Sequence, residues 1–289
     1  MDLKNGFEDA SSGVTDKSDP HAWTENMAPP ADDPAKPNII IIIDDVNSRS
    51  VGKILDAAGN NPITMAFLPD NSTQSDMDQA KANGHDTMIH MPMEPLNTEE
   101  RGIKLETSAL KTAYNSYEIG MVMKYALKDF DGYIGINNHQ GSAAMQDPDL
   151  LDKVMSEMNQ RGLLFLDSAT ISADKYGKEG AEMAETKAEE HGVDYVRREV
   201  FLDHEQTEEY VAGQISKVEA IAQQEGSVIA IGHPHGVTME ALKDWMDKAS
   251  DKFDFITLGS HAASELELNA QNAQQDNATL SQALEQTTP

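Results

Sequence analysis

Two adjacent carboxylates, Asp44 and Asp45, follow five consecutive isoleucines at 39–43. Like charges held together at the end of an apolar run repel each other, and a cation or a shared proton relieves the repulsion. The pair therefore reads as a metal or proton-transfer site before it reads as packing. Imidazoles occur in the same setting: His90 after the stretch 86–89, His139 after Asn137 and Asn138, and His233 and His235 shortly after Ile231. Two imidazoles and one carboxylate, with positions left for water and substrate, meet the needs of a catalytic zinc or similar divalent ion. His90, His139 and one of the two aspartates supply such a set. Only one aspartate is expected in the ion's inner shell, because consecutive side chains leaving a strand point in different directions. Glu94 stands four residues after His90, a spacing that shares a face in a helical turn. Pro92 and Pro95 argue against that turn and leave Glu94 as an alternative ligand or a neighbour of one.

Other polar residues at apparent strand ends carry less weight. An aspartate after a strand often caps the next helix, so Asp70 and Asp167 divide evenly between structural and functional roles. Lone histidines are mostly surface or core residues, and His21, His191 and His204 are read that way. Lys and Arg look sparse near the candidate residues, which argues mildly against phosphate chemistry. Rim aromatics for sugar stacking also look few, with Tyr133 and Tyr176 the visible ones.

The elements that must position these groups follow from pattern. Short apolar or β-branched runs at 38–43, 63–68, 86–89, 133–136, 163–166, 194–196 or 199–202, 228–231 and 255–258 alternate with helical periodicity, as in 208–224. That alternation implies βαβ units and an irregular α/β barrel of seven or eight mostly parallel strands. A run apolar throughout, such as 39–43, suits a strand buried on both faces. In a parallel barrel the residue after each strand projects onto one rim. Asp44, Asp45, His90, Asn138, His139, Asp167, His204, His233, His235, Ser260 and His261 would gather there.

Composition narrows the partners. The chain has 289 residues, with 22 Lys and Arg against 50 Asp and Glu and a formal net charge of −28. Such a surface repels nucleic acid and anionic lipid. The chain contains no cysteine, which removes disulfides, thiolate ligands and a cysteine nucleophile. No run of about 18 apolar residues occurs, and the first 13 residues lack the basic and apolar regions of a signal peptide. Residues 1–36 and 264–289 are polar and without periodicity. They are expected to be a disordered leader or linker and a solvated tail around a folded domain at 37–263.

Six segments carry a resemblance: IIIIIDDVN at 39–47, MIHMPMEP at 88–95, GINNHQGSA at 135–143, LLFLDS at 163–168, REVFLD at 198–203 and AIGHPHG at 230–236. Together they resemble the divergent polysaccharide deacetylases, relatives of the peptidoglycan and chitin deacetylases, over nearly the whole expected domain. The resemblance implies a divalent metal, zinc first. It also implies Asp44 as base, Asp45 and His90 as metal ligands, and His233 or His235 as general acid. Where the wider superfamily has a second histidine four residues after His90, this chain has Glu94, and His139 is the natural replacement ligand. The implied activity is deacetylation of an N-acetylated polysaccharide, a cell-wall glycan first, in the periplasm or cell envelope. Two alternatives stay open: an envelope glycan-binding protein that keeps the fold without catalysis, and a metal hydrolase acting on another amide or an ester. The lack of an export signal leaves a cytoplasmic location open too.

Overall fold

The computed structural model describes residues 19–29 and 36–286. The elements run β1 (Asn38–Val46), α1 (Val51–Ala58), β2 (Thr64–Phe67), α2 (Gln74–Ala82), β3 (Asp86–Met93), α3 (Ser116–Leu127), β4 (Gly135–Gln140), α4 (Pro148–Arg161) and β5 (Leu164–Asp167). They continue through α5 (Ala173–His191), β6 (Tyr195–Arg197), β7 (Val200–Phe201), α6 (Glu208–Glu225), β8 (Ser227–Gly232), α7 (Gly236–Ala249), β9 (Asp254–Ile256) and α8 (Leu258–Gln286). Every strand pairing is parallel, in the order β6-β5-β4-β3-β2-β1-β8-β7, with β9 on β1. The expected (β/α) barrel is present, in an incomplete form. Sequence left 194–196 and 199–202 as alternatives, and both form strands: β6 pairs with β5 and β7 with β8, separated by Arg198 and Glu199. The Arg198 amide donates to Asp167 O and the Glu199 amide to Ile229 O, so this short segment links the two edges of the sheet.

Two-residue alternation along the strands sorts the core into two layers. Ile39, Ile41 and Ile43 of β1 pack outward under the helices, whereas Ile40 and Ile42 point into the barrel with Ala66, Met88, Leu164, Leu166, Ile229 and Ile231. All five isoleucines are fully buried, each stabilising by about 1.5–3 kcal/mol relative to exposure. Continuing the inward parity past the apolar layer reaches Asp44, His90, Ser168 and His233. The candidate chemistry is thus the next inward layer above a dry one.

Both proposed ends need correction. Within the expected disordered leader, residues 22–26 form a 3-10 turn whose Trp23 is fully buried against the inward layer, closing the barrel floor. Its indole Nε1 donates to Asp194, which also holds His21 Nδ1 at 2.6 Å. One bulky aromatic in a polar context has no periodicity to betray it, yet it brings a large apolar area and a donor that finds its acceptor. Residues 1–18 and 30–35 lie outside the described residues. The expected solvated tail from 264 is helical as far as Gln286, since it lacks Gly and Pro and is rich in helix-compatible Ala, Leu, Glu and Gln. Leu258 and Ala262 anchor α8 on the floor, with Leu266 half-buried beside them.

Ser260 and His261, expected on the rim, lie in α8 instead. The reason is register: β9 pairs only with residues 38–40, the first of β1, and so ends at the floor. There the buried Asp86 accepts from the amides of Ala28 and Gly259, tying both terminal segments to β3. A Cβ on Gly259 would lie 2.6 Å from Asp86 Oδ2, so that approach requires glycine. Among the described residues no helix is long and apolar enough to cross a membrane.

Candidate metal centre

A bulge at the end of β1 makes the first part of the site. Register with β2 shifts between Ile43 and Val46, and Asp45 has φ 55°, a left-handed conformation that aspartate tolerates better than most residues. The break in the pleat lets two consecutive carboxylates serve one cleft with different partners. Asp45 Oδ1 lies 2.9 Å from His139 Nδ1 and 3.3 Å from His90 Nε2, and those nitrogens are 3.1 Å apart. Ligand atoms at the corners of a tetrahedral zinc site, with bonds of roughly 2.0–2.1 Å, are separated by about 3.3 Å. The triangle has that size, and Asp45 Oδ1 is buried without a hydrogen-bond partner among the described residues. A divalent ion fits this donor set.

The neighbours orient these atoms. His90 Nδ1 lies 2.8 Å from Asn137 Oδ1, which accepts its proton and leaves Nε2 facing the triangle. The Asn137 amide nitrogen donates to Asp44 Oδ1 at 2.7 Å and to Ser168 Oγ at 3.1 Å, so one buried amide aligns a ligand and the adjacent carboxylate. Burial alone would raise the Asp45 carboxyl, but His139 and His90 outweigh it and hold it far below the usual range. Burial would likewise depress His90, and the carboxylates of Asp44 and Asp45 outweigh it and raise it.

Across the cleft stands a second unit. Asp203 is buried, accepts from the His233 amide and Thr238 Oγ1, and lies 3.0 Å from His233 Nδ1. Burial would lower the His233 imidazole, but Asp203, together with Asp44 and Asp45, raises it. Asp203, His233 and His235 are close enough to hold a cation. The Asp203 oxygens are already engaged, however, so the arrangement reads as a carboxylate–imidazole dyad. His233 lines the cleft, whereas His235 Nε2 lies 3.1 Å from the Gln206 amide and is not among the lining residues.

Of the remaining expected residues, Glu94 turns to Thr112, accepting from its amide and hydroxyl at 2.8 Å each, and so fastens the long β3–α3 connection. Asn138 lines the cleft and braces it, accepting from the Ser168 amide and donating to Gln140 O. Asp167 lies beneath the rim: it accepts from the Ala169 amide and Tyr195 hydroxyl, and its burial raises its carboxyl. It thereby holds Ala169 at φ 52°, which costs an alanine about 1–2 kcal/mol.

Several cleft residues escaped sequence reasoning. Arg198 donates from Nε to Ser168 O and from Nη2 to Ala169 O, and its guanidinium lies 4.8 Å from the Phe201 ring centre. Arg101, Phe201 and His204 also line the cavity of about 690 Å³, a volume within the range of small-ligand sites. The cleft therefore holds two arginines where cations looked sparse, and His204 is a wall residue. Tyr133 precedes β4, at the floor end and away from the rim, and the Tyr176 side chain lies outside the described residues. Segment 198–202 contains the usable signal: Phe201, which has inward parity opposite Val200 and Leu202 and leads into Asp203.

A curled parallel sheet with carboxylates and imidazoles massed at its carboxyl rim defines a (β/α)-barrel protein with a candidate metal site. The profile of the family described as "Divergent polysaccharide deacetylase" matches residues 41–261, and the chain belongs to that family. It is 34% identical over 206 residues to the uncharacterized protein YibQ of Escherichia coli, covering 71% of this chain and 61% of that protein. The chain thus spans less than two thirds of YibQ. An uncharacterized protein of Haemophilus influenzae is 30% identical over 227 residues, covering 78% and 77% of the two chains. The crystal structure of an uncharacterized protein from Agrobacterium tumefaciens shares the fold, with a TM-score of 0.71, 20% identity and coverage of 82% of this chain and 94% of that one.

Proposed function

We propose that this protein is a divalent-metal hydrolase, zinc first, that removes acetyl groups from an N-acetylated glycan of the cell envelope. The observation that carries the reading is the triangle of Asp45 Oδ1, His90 Nε2 and His139 Nδ1, set beside Asp44 and in one cleft with His233. When bound, a divalent ion polarises the acetamide carbonyl and acidifies water. Asp44, aligned by Asn137, takes the proton of the attacking water. His233 directs Nδ1 to Asp203, leaving Nε2 to deliver a proton to the nitrogen of the leaving amine. Asp203 stabilises the imidazolium form before that transfer. Phe201 and His204 supply ring faces on the wall where a sugar would rest. Family membership supports the glycan, and the glycan supports the envelope as the place of action.

The test is acetate release from N-acetylglucosamine oligomers by the zinc-loaded protein. Activity should disappear on chelation and return with added zinc. Stoichiometric metal with no acetate released from any N-acetylated glycan would refute the hydrolase and favour a glycan-binding role.

A further inference from the structure

One residue of the His-Pro-His segment at 233–235 has no part in the reaction proposed above. His233 lines the cleft and pairs with Asp203, whereas His235 does not line it. The His235 ring does not cap α7, the helix it precedes, and its hydrogen-bond partner among the described residues is the exposed Gln206, 3.1 Å from Nε2. The rings of His233 and His235 nevertheless lie side by side, with centres 5.6 Å apart and planes inclined by 30°. Asp203, His233 and His235 each offer one ligand atom, and the three atoms lie within 4.8 Å of one another. Two half-buried imidazoles beside a buried carboxylate are a donor set for zinc or a similar divalent ion.

Asp203 can take an ion and keep its structural bonds. Its Oδ2 accepts from the His233 amide and the Thr238 hydroxyl, at 2.7 and 2.8 Å. Its Oδ1 faces His233 Nδ1 at 3.0 Å, close to the roughly 3.3 Å edge of a tetrahedral zinc site. The proton between those two atoms is what an ion displaces. His235 must close the remaining gap, and a partner as exposed as Gln206 allows it. The triangle around Asp45 has edges of 2.9, 3.1 and 3.3 Å and needs no such movement. The set at Asp203 also abuts the N-terminus of α7, where the helix dipole disfavours a cation. It is therefore the weaker of the two sites and fills second.

We infer that Asp203, His233 and His235 form a second, weaker zinc site, and that zinc bound there switches hydrolysis off. The inhibition rests on the hydrolase reading, whereas the site does not. An ion on His233 Nδ1 sends that proton to solvent and holds the ring neutral, so Nε2 has no imidazolium proton to give a leaving amine. The same histidine then serves the reaction at low zinc and stops it in excess.

The experiment titrates further zinc into the full chain already carrying one equivalent. Calorimetry reads the affinity, elemental analysis after dialysis reads the stoichiometry, and acetate release from N-acetylglucosamine oligomers reads the rate. The parent should bind a second equivalent more weakly than the first, and its rate should fall by about 10²-fold as that equivalent fills, the scale for losing a general acid. His235→Ala should lose the second equivalent, and so should His235→Asn, which keeps a polar side chain ahead of α7. Each variant should also lose the inhibition, measured against its own rate at one equivalent. A second equivalent that persists in both variants overturns the inference, since other groups then hold it. A parent that binds one zinc only, or whose rate is unchanged as the second fills, overturns it as well. If the second zinc binds through His235 and no acetate is released at any loading, the site stands and the hydrolase reading falls.

Discussion

Asp44 and Asp45 share a backbone segment but not an environment. One is bonded to an amide and the other faces two imidazoles, so the same substitution should do different things to each. Asp45→Asn removes a charged donor from the triangle and should abolish stoichiometric metal. Asp44→Asn should keep the metal and lose about 10²-fold or more of the hydrolytic rate, the scale for losing a general base. Elemental analysis paired with acetate release decides it, and the reverse pattern would exchange the two roles. By the same measurement His139→Ala should lose metal while Glu94→Ala keeps it, because Glu94 is committed to Thr112. A different residue sets acid sensitivity. His85 is buried, accepts from the Ile63 amide, and is pushed by burial down to about 4 from 6.5. The unfolded chain therefore takes up a proton that the folded chain refuses between those values. Stability is whole above the unfolded pKa and falls with pH toward 4, by roughly 2 kcal/mol at pH 5. Urea melts at pH 7 and pH 5 should show that loss in the parent and a smaller one in His85→Gln.

At the scale of elements, what sequence could disclose depended on pattern. The isoleucine run and the strands following it were visible as short apolar runs buried on both faces, and the amphipathic α6 because its burial repeats every three to four residues. His90 and Asp44 were visible because each ends such a run with the right parity. Arg198 was not, because its position depends on how 194–202 divides between two strands. Trp23 was invisible for a related reason: the inward layer it joins is drawn from strands distant in sequence, and a single aromatic makes no pattern. Its burial predicts a large effect. Trp23→Ala should cost about 3–5 kcal/mol in denaturant midpoint analysis, the range for truncating a buried aromatic. Trp23→Phe, which keeps the bulk and loses the bond to Asp194, should cost less. Equal, small losses would show that the floor does not depend on this plug.

For the whole molecule, the terminal segments belong to the barrel because Asp86 binds both, through Ala28 and Gly259. A fragment of residues 37–263 lacks Trp23 and the Leu266 that packs beside the α8 anchor. It should melt well below one spanning 19–268, which should match the full chain. Limited proteolysis and thermal melts of the two fragments check this, and equal stability would return the boundaries to those expected from composition.

The two walls of the cleft differ in what else they do. One is the β3–α3 connection, which carries Arg101 and joins elements already paired through β4. The other, residues 198–201, is also the seam by which the sheet meets itself. Variation in the first can alter what the cleft accepts while the barrel stays shut, whereas variation in the second risks the barrel itself. Saturation mutagenesis scored for folding alone should therefore find a permissive wall facing an intolerant one. A change of ligand preference is reached most easily by rewriting 97–106, with the seam left as it is.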